Sequence, residues 1–127
     1  HTHMCYSEFG EIQEAIDRLD ADVISIENAR SDDATLKELA AYGYPREVGP
    51  GVYDIHSPVV PTAAFVEEKL RSFLQHLAPE RIWVNPDCGL KTRTWAEVLP
   101  SLQAMVAAVM RLREELAAAD SPQHPGV

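Results

Sequence analysis

The chain has 127 residues, which fits one domain at the usual ~100–200 residues per domain. It is 46% hydrophobic and 24% charged, too apolar for a disordered polymer. Twenty acidic residues against eleven basic ones give a formal charge of −9, which argues against nucleic acid or an anionic membrane as partner, since both need a positive footprint.

No apolar run approaches the ~18–20 residues of a membrane span, and there is no signal-peptide pattern. Two cysteines are too few for a disulfide scaffold, so a cytoplasmic protein with reduced thiols is expected. The opening His1-Thr2-His3-Met4-Cys5 has no initiator methionine and puts possible metal ligands where domains usually fray. It reads as the cut edge of a longer protein.

In chain order, a strand remnant over residues 1–5 leads to Ser7, a plausible helix N-cap. Ile12, Ala15, Ile16 and Leu19 then follow at helical spacing and predict one apolar face. Asp22-Val23-Ile24-Ser25-Ile26-Glu27 is β-branched and predicts a second strand. Ser31-Asp32-Asp33 predicts a helix start with acids in its first turn, Leu36, Leu39 and Ala40 its apolar face, and Gly43 its end.

Residues 47–54 predict an irregular third strand, and Ile55-His56-Ser57-Pro58 a loop. Thr62 should cap a helix with the stripe Val66, Leu70, Phe73, Leu74 and Leu77. Arg81 to Asn85 predicts a fourth strand, and Pro86 to Arg93 a polar loop. The last helix carries Val98, Leu102, Met105, Val109, Leu112 and Leu116, with Pro100 expected to break or kink its first turns. Asp120 to Val127 reads as a disordered, Pro-rich tail after a domain over residues 1–119.

Four βα units without a linker imply an α/β fold with a parallel sheet, half of a (β/α)8 TIM barrel. A half-barrel alone would leave two open parallel edges. In such folds the C-terminal ends of the strands form the functional rim. His3 and Cys5 follow the first strand, Glu27 ends the second, His56 follows the third and Cys88 the fourth.

His3, Cys5, Glu27 and Cys88 make an N/S/O/S donor set suited to zinc. The spacing His3-x-Cys5 puts both side chains on one face of an extended segment. Each residue also has an ordinary reading. A cysteine near a strand is a small buried hydrophobe, Glu27 a solvated strand-end acid, and His56 a turn residue. His76 and His124 read as an exposed helix end and a tail residue, and His1 as part of the strand.

The segments His3–Phe9, Asp20–Glu27, Gly49–Pro58 and Trp83–Arg93, the last reading WVNPDCGLKTR, resemble the cobalamin-independent methionine synthases in order and spacing. The resemblance runs from His1 to about Leu116 and corresponds to the C-terminal part of that family's catalytic barrel. It implies transfer of the methyl group of 5-methyltetrahydrofolate, as its polyglutamate (5-methyltetrahydropteroylpolyglutamate), to homocysteine, giving methionine. It implies one zinc ion per chain and no cobalamin, with His3, Cys5, Glu27 and Cys88 as zinc ligands and His56 as proton donor.

Zinc would lower the pKa of the substrate thiol, and a His is suited to protonating a poor amine leaving group. Glu27, the one hard donor, is expected to yield when the substrate sulfur binds. Asp54 is placed to orient His56, and Tyr53, Asn85 and Asp87 as groups around the site. No residue here resembles the family's homocysteine- or folate-gripping positions, so no substrate-binding residue is mapped. The missing N-terminal half of the same enzyme is the expected partner, and the fragment is expected to be inactive by itself. Two other functions fit the same rim: a related zinc-dependent thiol alkyltransferase with another acceptor, and a non-catalytic zinc-binding fragment.

Overall fold

The computed structural model describes residues 1–5 and 12–120. Three short parallel strands form one sheet in the order β1 (Thr2–Met4), β2 (Val23–Ile26) and β3 (Glu47–Pro50). Thr2, His3 and Met4 pair with Ile24, Ser25 and Ile26, and Val23 to Ile26 pair with Glu47 to Pro50. The helices are α1 (Gln13–Asp17), α2 (Ala34–Tyr42), α3 (Ala63–Phe73) and α4 (Trp95–Asp120). None of the described helices is long and apolar enough to cross a membrane.

The predicted fourth strand is not a continuous one. Residues 82–85 run beside β3 but touch it only at two isolated parallel bridges, Val48 with Ile82 and Gly51 with Asn85. Trp83 N–H donates to Val48 O at 2.9 Å, and Val52 N–H donates to Asn85 O at 3.0 Å. Alternation therefore turns Pro50 toward the same lane, and Pro50 has no N–H to give it. The ladder is interrupted at that residue. The third strand likewise stops at Pro50 rather than reaching residue 54.

The first helix is shorter than expected and buries only Ile16, while Ile12 and Leu19 are exposed. The proposed cap Ser7 lies outside the described residues. α2 starts at Ala34, so Asp32 and Asp33 precede it instead of forming its first turn. Both take left-handed backbone, with φ of 50° and 61°. The Asp33 side chain turns inward to accept hydrogen bonds from Asn28 Nδ2 at 2.8 Å and Ser72 Oγ at 2.6 Å, with Lys69 Nζ at 3.6 Å. Burial pushes its carboxyl up, but these donors outweigh that and hold it below the usual carboxylate range. Gly43 ends α2 with a φ of 79°, as its sequence position predicts.

Thr62 caps α3, its Oγ1 accepting from Phe65 N–H at 3.1 Å. Val66, Leu70, Phe73 and Leu77 are buried, with Leu74 half-buried. α4 packs along α3, burying Val98, Ala108 and Leu112. It runs through Pro100 without ending. The lost bond belongs to the carbonyl of Ala96, which is exposed and open to water, so the cost falls where solvent can offset it. Asp120 closes α4, and the tail expected beyond it lies outside the described residues, as does His124. His76 sits in the turn after α3, half-buried rather than exposed.

Candidate metal centre

The register builds the site. On a parallel pair, directly partnered residues share a face. His3 is partnered with Ser25, and Glu27 N–H continues the ladder to Met4 O at 3.3 Å. Two residues further along each strand, Cys5 and Glu27 return to that face. Three corners of this block are metal-type donors and the fourth is Ser25.

Cys88 arrives from the loop after residues 82–85. Its Sγ donates to Glu27 Oε1 at 2.5 Å and lies 3.8 Å from Cys5 Sγ, while Cys5 Sγ lies 3.6 Å from His3 Nε2. The donor atoms of His3, Cys5, Glu27 and Cys88 all fall within 4.8 Å of one another. One imidazole, two sulfurs and a carboxylate converging on one point match the donor chemistry of zinc. Glu27 is buried, Cys88 half-buried, and His3 and Cys5 are exposed, so the cluster is open on one side.

The donors raise one another's proton affinity. The Glu27 carboxylate beside Cys88, together with burial and the Cys5 sulfur, pushes the Cys88 thiol up to about 12. Anionic donors this close destabilise each other's charged forms unless a positive ion sits between them.

A buried carboxylate holds the loops together. Asp87, next to Cys88, accepts at Oδ1 from the backbone N–H groups of Asn28 at 3.0 Å and Ala29 at 3.4 Å, the two residues after Glu27. Its own N–H donates to Tyr53 O at 3.2 Å. Gly51 leaves the room: a Cβ there would stand 1.7 Å from Asp87 Oδ1. Asp87 therefore ties the Glu27, Tyr53 and Cys88 loops into one unit.

The other residues singled out in the sequence fall around this cluster. His56 is exposed in the loop after β3 and is not among the four clustered donors. Asp54 holds that loop by its backbone and not by the imidazole: Oδ1 accepts from His56 N–H at 2.8 Å and Oδ2 from Arg30 Nε at 2.7 Å. Burial opposes its ionisation, and these two donors more than offset that, keeping the carboxyl low. The Tyr53 hydroxyl is buried without a partner among the described residues. The Asn85 amide donates to its neighbour Pro86 O at 3.0 Å, and its Oδ1 fills the space that the missing Cβ of Gly49 leaves. His1 meets the Trp83 ring edge-on at 4.8 Å between centroids and takes no part in the cluster.

Sequence reasoning missed Ser25, Asn28 and Gly51. Ser25 was detectable as the polar residue two before Glu27 on a β-branched strand. Nothing in the sequence marks Gly51 as the space for Asp87.

Residues 1–111 match the family model described as "Cobalamin-independent synthase, Catalytic domain". The chain is 61% identical over 116 residues to the 5-methyltetrahydropteroyltriglutamate–homocysteine methyltransferase of Synechococcus sp. (strain JA-2-3B'a(2-13)), covering 91% of this chain and 15% of the relative. It is 60% identical over 117 residues to the protein of that name from Haemophilus influenzae (strain PittEE), covering 92% and 16%. The chain thus spans about 15% of the length of the curated relatives it matches. In three dimensions it resembles a B12-independent methionine synthase from Shewanella sp. W3-18-1, solved in complex with selenomethionine. The TM-score is 0.77 at 22% identity, over 90% of this chain and 33% of that one, a likeness of fold.

Proposed function

This chain belongs to the cobalamin-independent methionine synthase family, matching its catalytic domain, and on that premise we propose that it carries the zinc-binding part of an enzyme that methylates homocysteine. The observation that carries the reading is the convergence of His3, Cys5, Glu27 and Cys88 within 4.8 Å. The proposed donor is 5-methyltetrahydropteroylpolyglutamate, the proposed products methionine and tetrahydrofolate, and cobalamin is not needed.

His3, Cys5, Glu27 and Cys88 would hold the ion. Zinc bound there supplies a Lewis acid that lets the homocysteine thiol react as thiolate at neutral pH. The sulfur forms a bond to the methyl carbon while the bond from that carbon to the folate nitrogen breaks. The electron pair stays on the nitrogen, which needs a proton to leave. His56 is the proposed donor of that proton, and its exposed position leaves the ring open to the departing amine. Asp54 acts on this step through the main chain, by fixing the loop that carries His56.

Holding the metal requires Cys88 to lose its proton, so affinity is expected to fall as pH is lowered. The proposed architecture is the C-terminal half of a (β/α)8 barrel over residues 1–119. The parallel order β1-β2-β3 and the fourth lane at 82–85 support it. The upstream half of the same enzyme is the proposed partner.

A hybrid enzyme tests this. The matching 116 residues of the Synechococcus relative are replaced by this chain, and methionine formation is assayed from homocysteine and the methylated folate. An active hybrid whose His56→Asn variant keeps its zinc but loses turnover supports the reading. A folded, zinc-loaded hybrid that makes no methionine, or uses a different thiol, contradicts it.

A further inference from the structure

Histidine has two ring nitrogens, and only one bearing a free lone pair can ligate a metal. A neutral imidazole exchanges its proton between them unless something holds it. In this chain His3 Nε2 faces the donor cluster, 3.6 Å from Cys5 Sγ, and Nδ1 faces away, 2.8 Å from Ser25 Oγ. We propose that Ser25 is the positioning residue of the metal centre: its hydroxyl oxygen accepts the Nδ1–H of His3 and leaves the Nε2 lone pair turned toward the ion. The inference rests on the metal reading given above.

Three observations carry it. Ser25 Oγ is placed to donate its single proton to the Thr2 carbonyl at 3.4 Å. With that proton directed at Thr2, the hydroxyl meets His3 as an acceptor and Nδ1 is the protonated nitrogen, the tautomer the proposal requires. The ladder sets the two side by side on one face, because His3 and Ser25 are direct partners across β1 and β2. The third is chemical economy in the block: the neighbouring corners are donors, whereas a serine hydroxyl is a weak zinc ligand and a good hydrogen-bond partner for a ligand.

The ordinary role for such a serine is to bond backbone, and the cross-strand Thr2 contact is of that kind. That role leaves the lone pairs of Oγ free, and His3 occupies one of them. Ser25 is half-buried and lines an open hollow of about 340 Å³ shared with His1, His3, Trp83 and Asn85. Water can reach the His3 ring through it, so loss of the hydroxyl is partly replaced by solvent. The effect should therefore lie at the low end of the range for groups that orient a metal ligand.

The test uses the 127-residue chain, Ser25→Ala and Ser25→Thr. Zn²⁺ affinity is read by competition with a chromophoric chelator, and the His3 tautomer by ring ¹⁵N shifts of the metal-free chain. Ser25→Ala is expected to weaken Zn²⁺ binding about tenfold and Ser25→Thr, which keeps the hydroxyl, less than about threefold. In Ser25→Ala the ring should populate both tautomers, while the thermal midpoint of the metal-free chain stays put. A merely structural serine would move that midpoint and leave the tautomer alone. Ser25→Ala binding Zn²⁺ as tightly as the unaltered chain, with Nδ1 still protonated, overturns the inference and leaves the metal reading standing. An unaltered folded chain that takes up no Zn²⁺ overturns both.

Discussion

The back of the sheet and its rim are built on opposite rules. Behind the strands, Ile24, Val48, Leu36, Val66 and Phe73 are buried in one apolar cluster. At the rim polar and charged groups are buried too, Glu27, Asn28, Asp33 and Asp87 beside Val52, Tyr53 and Ile55. An apolar core is held by summed area, so many residues share each contribution and similar volumes substitute for one another. Each of these polar groups is held by a few specific partners, as Asp87 is by the Asn28 and Ala29 amides. The back should therefore govern whether the chain folds, and the rim what the folded chain binds.

The largest effect expected is at the back. Phe73, fully buried between α3 and the sheet, should lose about 3–5 kcal/mol of stability on substitution by alanine. Urea unfolding of the metal-free chain measures it, and the metal affinity of the molecules that remain folded should be unchanged. The reverse pattern is expected for Cys88→Ala. Removing a ligand should weaken Zn²⁺ binding by more than the about 100-fold that loss of a supporting group costs, with little change in the metal-free unfolding midpoint.

Gly51→Ala sharpens the comparison because it lies between the two regions. Its Cβ would displace the Asp87 carboxylate, so about 1–3 kcal/mol of stability and part of the metal affinity should be lost together. If stability falls alone, Asp87 does not set the spacing of Glu27 and Cys88. Thr62→Ala should cost about 1 kcal/mol through the lost cap and leave Zn²⁺ binding untouched, the smallest effect and purely one of folding.

How much of this the sequence reveals follows the same division. The stripes of α3 and α4 are legible because helical periodicity is repeated over several turns and burial simply follows it. The four donors are legible because a histidine, the only two cysteines and a glutamate fall at the ends of the first, second and fourth predicted strands. The interruption beside β3 is not, because it depends on which neighbour Pro50 faces, and that is set by pairing. Asp33 reads as a helix-dipole acid from local sequence, yet Asn28 in its own loop and Lys69 and Ser72 on α3 draw it inward. Asp54 is correctly placed beside His56, but its bond goes to the main-chain amide. Polar partnerships such as these leave no periodic trace, and Ser25 belongs with them.

The four strand-end donors should form one metal site in this chain. Zinc bound per molecule of the purified 127-residue protein, before and after dialysis against a mild chelator, tests it most directly. About one zinc per chain is expected, retained through dialysis and lost in Cys88→Ala. A folded chain that holds no zinc, or a Cys88→Ala chain that holds as much as the unaltered one, would contradict it.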